Sequence, residues 1–175
     1  TSITYVEFYE RLCEKKLHHY HFLDVSKTNP RWDSPEQELR EIACGIFNSC
    51  IIICGSVKDM EHCQSIANNL NQNIIYNIYP CSAHKETEKL IKLLKRVRVY
   101  ESCVLITVAG MSNALSGVVA CNTTLPVIAC PPFKDKMDMM VNINSSLQCP
   151  SNVPVMTVLS PSNAAECVLR MLSLN

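Results

Sequence analysis

The sequence predicts a three-layer α/β domain, in which helices cover both faces of a parallel sheet of about five strands. Two observations lead to this fold class. Between residues 50 and 172, short apolar runs rich in β-branched residues alternate with segments of helical periodicity. The apolar runs are continuous rather than alternating in polarity, as is typical of strands buried on both faces. Strands that alternate with helices form crossover units, and such units build a parallel sheet.

Five segments are predicted as strands, because each is a short and continuous apolar run. They are residues 50–54, 73–79, 103–108, 125–130 and 153–159. Each is expected to be buried in the sheet.

A helix is predicted after each strand. In four of these segments apolar residues recur at intervals of three or four, which places them on one helical face. The four segments are residues 60–70, 90–97, 115–119 and 165–172. The helix between Lys134 and Ile143 is predicted to be short and weak.

The N-terminal part differs in character from the rest. We predict a helical arm or linker over residues 1–47 and the α/β domain over residues 48–175. The arm has apolar residues at helical spacing, namely Tyr5, Phe8, Tyr9 and Leu12. Three nearby histidines lack a fourth ligand at metal spacing, so a solvated helix end is favoured over a zinc site. These are His18, His19 and His21.

Composition and charge exclude several functional classes. The chain has 175 residues, and 16 Lys and Arg balance 16 Asp and Glu, so no basic surface for nucleic acid or acidic lipid is expected. No apolar run approaches the roughly 20 residues that cross a bilayer. Residues 1–10 carry acids where a secretory signal carries bases. The sequence therefore predicts neither a membrane span nor export.

The cysteines indicate a reducing compartment. There are 11 of them, an odd number, and no CxxC pair occurs. Several lie in apolar runs, where a thiol behaves as a small hydrophobe. Examples are Cys50, Cys54, Cys103 and Cys130. We therefore expect reduced thiols and a cytoplasmic protein.

The loops that follow the predicted strands are the expected place for chemistry, because open α/β sheets bind ligands at the carboxyl ends of their strands. Residues 55–59 lead directly into a helix, where backbone N–H groups and the Ser56 hydroxyl could meet an anion. The alternative, weighed equally, is that Ser56 or Asp59 caps the helix.

The second loop contains Cys81-Ser82-Ala83-His84-Lys85. A histidine at such an edge can move protons near neutral pH, and the adjacent lysine can hold a carboxylate or phosphate. A lone histidine is more often structural, and that alternative stays open at this point. In two further loops, Gly110 follows the third strand, and Pro131-Pro132 could form a rigid pocket wall.

Taken together, these segments resemble the aminoimidazole ribonucleotide (AIR) carboxylase family of purine biosynthesis, over roughly residues 50–172. The match is closest to the animal form, in which the carboxylase is fused to SAICAR synthetase. The segments that carry the resemblance are GSVKDMEHC (55–63), SAHK (82–85), AGMSN (109–113), NTTLPVIACPP (122–132), SSL (145–147) and TVLSP (157–161).

The resemblance implies a flavodoxin-like carboxy-lyase that adds CO2 to C4 of AIR without ATP, biotin, a metal or another cofactor. It implies that His84 is the proton shuttle and that Lys85, with Ser82, binds phosphate or carboxylate. Ser56 and Asp59 would hold the ribose phosphate. The residues that would shape the CO2 pocket are Gly110, Ser112 and Asn113. It also implies a homo-oligomer, a tetramer or octamer, with sites between subunits.

Departures from the family pattern favour a second hypothesis, a diverged domain that binds nucleotide or serves assembly without catalysis. Lys58 stands where the family usually has serine, and Met111 stands where the animal enzymes have arginine. Loss of that arginine removes a fixed cation from the site. Loop glycines of the family are replaced by Ala114, Ser116 and Cys121. A third and minor alternative is a nickel-pincer cofactor-type nucleotide carboxylase, whose corresponding loop Met111 resembles.

Overall fold

The computed structural model describes residues 44, 47–100, 102–111 and 114–173. Most of the predicted N-terminal arm, with its three histidines, lies outside the described residues. Ser112 and Asn113, two of the predicted site residues, also lie outside them.

Within the described residues, five strands alternate with five helices. The strands are β1 (Ser49–Cys54), β2 (Ile75–Pro80), β3 (Cys103–Val108), β4 (Val127–Ala129) and β5 (Met156–Thr157). The helices are α1 (Met60–Asn68), α2 (Thr87–Val97), α3 (Ala114–Cys121), α4 (Lys136–Leu147) and α5 (Pro161–Ser173). A short 3-10 helix, Val57–Asp59, precedes α1.

All strand pairs are parallel, and the order across the sheet is β2-β1-β3-β4-β5. This is the strand order of flavodoxin-like folds, so the predicted fold class is confirmed. In the central pair, Ile51 of β1 lies opposite Leu105 of β3. Every residue of these two strands is buried.

The two faces of the sheet carry separate hydrophobic cores, because side chains alternate between faces along a strand. Ile51 and Ile53 pack with apolar residues of α2 and α3 on one face. Ile52 packs with apolar residues of α1 and α5 on the other. Three layers result, as the sequence predicts.

The outer strands are shorter or more exposed than predicted. β4 has only three residues between Pro126 and Cys130, and β5 has two, with no buried residue in β5. In β2, only Asn77 is buried. β2 and β5 are the edge strands of the sheet, so each has a strand neighbour on one side only. Their apolar runs therefore do not require full burial.

The helix between Lys134 and Ile143 is longer than predicted. α4 has 12 residues, and the Asp135 carboxylate caps it by accepting hydrogen bonds from the N–H groups of Met137 and Asp138. A good cap stabilises a helix that buries no apolar stripe. The helix buries two polar residues, Asn142 and Ser146, while several of its apolar side chains are exposed, which explains why its apolar pattern is weak.

Ten cysteines lie among the described residues, and all ten are free thiols. Cys50, Cys54, Cys103 and Cys130 are completely or almost completely buried in the cores, as expected for thiols that act as small hydrophobes. None of the described helices has the length and apolar character that a membrane span requires.

Candidate active site

The loops after β1 and β3 flank the point where the strand order reverses, which is the usual ligand site of such sheets. Backbone hydrogen bonds fix where the loops begin. The N–H of Gly55 donates to the carbonyl of Val108 at 2.9 Å, and that of Cys81 donates to the carbonyl of Cys54 at 2.8 Å. The N–H of Cys130 donates to the carbonyl of Thr107 at 2.9 Å and extends this row of hydrogen bonds. The loops after β1, β2 and β4 thus start from one rigid edge.

Gly55 is required by close packing at this edge. A Cβ atom at position 55 would lie 3.1 Å from the Cβ of Ala109, which is tighter than ordinary contact. The loops after β1 and β3 therefore approach each other at their first residues, and a larger residue at position 55 would push them apart.

Ser56 and Asp59 have different local roles. The Ser56 hydroxyl accepts a hydrogen bond from the N–H of Lys58 at 3.2 Å and caps the 3-10 helix. Asp59 stands at the N-cap of α1 but makes no side-chain capping hydrogen bond. The capping alternative therefore holds for Ser56, whereas the half-buried carboxylate of Asp59 is not used as a cap.

His62, in the first turn of α1, contacts the first residue of the loop after β4. Its Nε2 lies 3.5 Å from the Sγ of Cys130. Partial burial lowers the pKa of His62, while the Asp59 charge and the Cys130 backbone oppose that shift. Partial burial raises the pKa of the Asp59 carboxyl, and His62 limits the rise. Burial raises the pKa of Cys130 to about 12, so this thiol stays protonated at neutral pH.

The loop after β2 forms a tight turn closed by Glu86. Its carboxylate accepts hydrogen bonds from the Ser82 N–H at 3.1 Å and from the Lys89 ammonium at 3.0 Å. Both bonds, the first more than the second, lower the pKa of the Glu86 carboxyl. The Ser82 hydroxyl accepts from the N–H of Lys85 at 3.3 Å. The turn is therefore held by its own polar groups.

This turn presents His84 and Lys85 to solvent. Both side chains are exposed, and neither forms an ion pair or a hydrogen bond with another of the described residues. An exposed imidazole next to an ammonium at the carboxyl edge of the sheet can meet a ligand without first breaking internal contacts. The arrangement suits proton transfer beside an anionic group.

Gly110 and Met111 form the described part of the loop after β3. Met111 has a positive φ of 57°, and its N–H donates to the Oδ1 of Asn142 at 2.6 Å. The Met111 side chain is 78% exposed, and Lys58 is also exposed. Neither side chain therefore fills the space between the loops. A diverged assembly domain, the second hypothesis, could tolerate having that space filled.

The structure places five predicted site residues and Gly110 on three neighbouring loops at one edge of the sheet. The five are Ser56, Asp59, Ser82, His84 and Lys85. A direct hydrogen bond joins only one pair among them, Ser82 and Lys85.

Sequence reasoning missed two residues at this edge, His62 and Asn142. For His62 a signal exists, because it lies three residues after Asp59 and so on the same face of α1. For Asn142 no such signal exists, since its partners are backbone groups of two distant loops.

Comparison with known proteins gives the family. The family model described as AIR carboxylase matches residues 49–175. The chain is 41% identical over 137 residues to a phosphoribosylaminoimidazole carboxylase of Archaeoglobus fulgidus, covering 78% of this chain and 75% of the relative. It is 37% identical over 150 residues to a bifunctional carboxylase/succinocarboxamide synthetase of Drosophila melanogaster, covering 82% of this chain and 33% of the relative.

The fold comparison agrees with the sequence comparison. The crystal structure of Treponema denticola PurE superimposes with a TM-score of 0.67 at 39% sequence identity, covering 73% of this chain and 81% of that one. The structural match and the family match over residues 49–175 point to the same conclusion. This chain belongs to the AIR carboxylase family.

Proposed function

We propose that this chain carboxylates 5-aminoimidazole ribonucleotide with CO2 to give 4-carboxy-5-aminoimidazole ribonucleotide in purine biosynthesis. The observation that carries the proposal is the Ser82 to Lys85 turn with its exposed His84 and Lys85, which lies beside the Asp59 loop in a member of this family. CO2 is the second substrate, and the proposed reaction uses neither ATP nor a bound cofactor.

The reaction requires the protein to position AIR and CO2 and to remove one proton. The aminoimidazole is enamine-like, so its C4 electron pair forms the new bond to the carbon of CO2, and one C–O π pair moves to oxygen to give the carboxylate. Removal of the C4 proton then restores the aromatic ring. We assign that proton to His84, whose exposed imidazole is available to a bound ligand.

The anionic parts of the substrate fit the loops after β1 and β2. Lys85 offers an exposed ammonium next to Ser82, which suits a phosphate or carboxylate. Ser56 and Asp59 are assigned to the ribose phosphate portion, and Gly110, Ser112 and Asn113 to the CO2 pocket. The placement of Ser56, Asp59, Ser82 and Lys85 on neighbouring loops supports their roles. For Ser112 and Asn113, which lie outside the described residues, the support is the family pattern.

The test is AIR-dependent carboxylation with bicarbonate as the CO2 source, followed by product absorbance. We expect wild-type protein to turn over and His84→Asn to lose activity by at least about 100-fold, because general acid–base groups contribute 10²- to 10⁴-fold. Lys92→Asn, at an exposed position of α2, serves as the control. AIR should raise the melting temperature of all three proteins. Wild-type protein that binds AIR without turnover would contradict the proposal.

We infer that the protein works as a homo-oligomer, a tetramer or octamer. Support comes from α4, whose exposed apolar side chains include Met137 at 76%, Met140 at 56% and Val141 at 58% exposure. Monomeric soluble proteins rarely expose large contiguous apolar patches. A second copy of the chain would bury these side chains.

Light scattering of a Met140→Lys/Val141→Lys variant tests the oligomer. The measured mass should fall relative to wild type, whereas Gln64→Lys/Ser65→Lys, at two exposed polar positions of α1, should leave it unchanged. A wild-type mass equal to that of one chain would contradict the inference.

We also place the protein in the cytoplasm. The ten free thiols among the described residues support a reducing compartment. Fractionation of cells with an antibody to the chain would test this, and recovery from a secreted or oxidising fraction would contradict it.

A further inference from the structure

Asn142 is an unusual residue for the buried side of a helix. It is 2% exposed, and with Ser146 it is one of two residues that α4 buries. Burying a side-chain amide costs free energy unless its donor and acceptor are both hydrogen bonded. The contacts of Asn142 therefore have to account for its position.

Both ends of the Asn142 amide are used, and each holds a different loop. Oδ1 accepts from the N–H of Met111 at 2.6 Å, and Nδ2 donates to the carbonyl of Pro132 at 2.8 Å. Met111 follows β3 and Pro132 follows β4. One side chain thus connects the two loops.

The connection begins where the sheet pairing stops. The ladder between β3 and β4 ends at the pair Thr107 and Ala129, and the N–H of Cys130 adds one last bond to Thr107. Beyond this point, the amide of Asn142 supplies the acceptor and the donor that strand neighbours would otherwise provide. The Asn142 side chain thus continues the link between the two chain segments beyond the end of the sheet, at the edge of the site.

The held segment is crowded and strained. Met111 has a φ of 57°, a left-handed conformation that costs about 1 to 2 kcal/mol in a residue other than glycine. A Cβ atom on Gly110 would lie 3.3 Å from the Nδ2 of Asn142. Gly110 therefore leaves room for the amide, and the hydrogen bond to Met111 holds the backbone in this conformation.

We propose that Asn142 is a positioning residue for the reaction proposed above, on which this inference rests. Its amide fixes the loop after β3 relative to the Pro131-Pro132 segment, and these two form the side of the site away from the Ser82 turn. Only a side chain with one acceptor and one donor at this reach satisfies both loops. Aspartate would keep the bond to Met111 and turn an oxygen towards the Pro132 carbonyl, and serine is too short to reach both.

The kinetic test uses Asn142→Asp and Asn142→Ser, with Asn68→Asp as the matched control, because Asn68 is an exposed asparagine at the end of α1 opposite Asp59. We expect kcat/KM for CO2 to fall about 10- to 100-fold in both Asn142 variants. The dissociation constant for AIR should stay within about threefold, because Asn142 hydrogen bonds to the loops after β3 and β4 and not to those after β1 and β2.

A second control separates positioning from stability. Ser146→Ala removes the other buried polar side chain of α4, whose Oγ lies 3.4 Å from the Oγ of Ser116. It should lower the melting temperature and leave the kinetic constants at wild-type values. If the Asn142 variants also lose only melting temperature, Asn142 is merely structural and the proposal is overturned.

Amide hydrogen exchange decides the proposal without reference to activity. In Asn142→Ser, exchange of the Met111 N–H should be at least about tenfold faster, while that of Leu105, bonded to Pro126 at 2.9 Å, should not change. Unchanged exchange at Met111 would overturn the role of Asn142. Absence of wild-type turnover would instead overturn the proposed function, and the exchange result would still decide what holds the loop.

Discussion

His62 links pH to stability through its partial burial. The pKa of His62 lies below its ordinary value in the folded chain, so the unfolded chain binds the proton first as pH falls. Its contribution is fully present above the unfolded-state pKa of about 6.5 and is lost as pH falls through the lower folded-state value. The raised pKa of Asp59 has the opposite effect on stability at lower pH, because the folded chain then binds this proton before the unfolded chain does.

We therefore expect His62→Gln to weaken the loss of stability on acidification. Between pH 7.5 and 5.5, the melting temperature of wild type should fall by more than that of the variant. Gln64→Ala, on the exposed side of the same helix, should keep the wild-type difference. Parallel curves for wild type and His62→Gln would contradict the role of His62.

The two non-glycine residues with positive φ among the described residues give an opposed pair of variants. Met111 has φ 57° and Asn152 has φ 64°, and asparagine tolerates this region better than methionine. Met111→Asn should gain about 1 kcal/mol and Asn152→Met should lose about as much. In calorimetry these correspond to shifts of about +2 to +4 °C and −2 to −4 °C. A lower melting temperature for Met111→Asn would show that Met111 is not strained.

Single residues of the site could be predicted only where local sequence decides their role. Gly55 and Ser56 follow a strand and precede a helix, and that order suggests a loop at the sheet edge. Whether Ser56 or Asp59 forms the cap depends on side-chain geometry, which spacing does not encode. Asn142 depends on contacts with residues 31 and 10 positions earlier in the chain, and no local pattern reports them.

At the level of elements, α4 depends on its cap. Asp135→Ala removes the acceptor for the N–H groups of Met137 and Asp138, both at 2.9 Å. We expect a loss of about 1 kcal/mol, or about 2 to 4 °C in melting temperature. Asp135→Asn keeps the acceptor and should melt close to wild type. Equal losses in the two variants would indicate that charge, not capping, matters.

A strand or helix could be predicted from the sequence where its burial requires apolar residues in a regular pattern. β1 and β3 are buried along their whole length, and their continuous apolar runs predict them almost to the residue. β5 lies at an edge, so the apolar run over residues 153–159 contains a strand of only two residues. α4 turns polar residues inward, and its periodicity therefore predicts less helix than forms.

On the scale of the whole molecule, β1 and β3 contribute to both cores. Ile53 and Leu105 lie in one core, while Ile52 and Ile106 lie in the other. If either core loses its packing, one face of β1 and β3 becomes exposed, and the same two strands also form part of the other core. Unfolding should therefore be a single cooperative event for both layers.

Two tyrosines report on the two cores separately. Tyr79 packs against the core that contains Leu90, and Tyr76 packs against the core that contains Ile66. In fluorotyrosine-labelled protein, Ile66→Val should cost about 0.5 to 1.5 kcal/mol and lower the urea midpoint of both NMR signals equally. A shift at Tyr76 alone would show that the layers unfold independently.

The row of backbone hydrogen bonds at the carboxyl edge of the sheet also bears on how such a domain can change over evolution. The N–H groups of Gly55, Cys81, Cys130 and Val158 each bond to the last or next-to-last residue of a neighbouring strand. Side chains beyond these anchors can be exchanged, and loops can be lengthened, without moving the points from which they start. New substrate preferences can thus accumulate in residues 56–59, 82–86 and 131–133 while the framework is inherited unchanged. Libraries for redesigning specificity belong in those three segments, with His84 kept for the proposed proton transfer and Glu86 kept because it closes the turn.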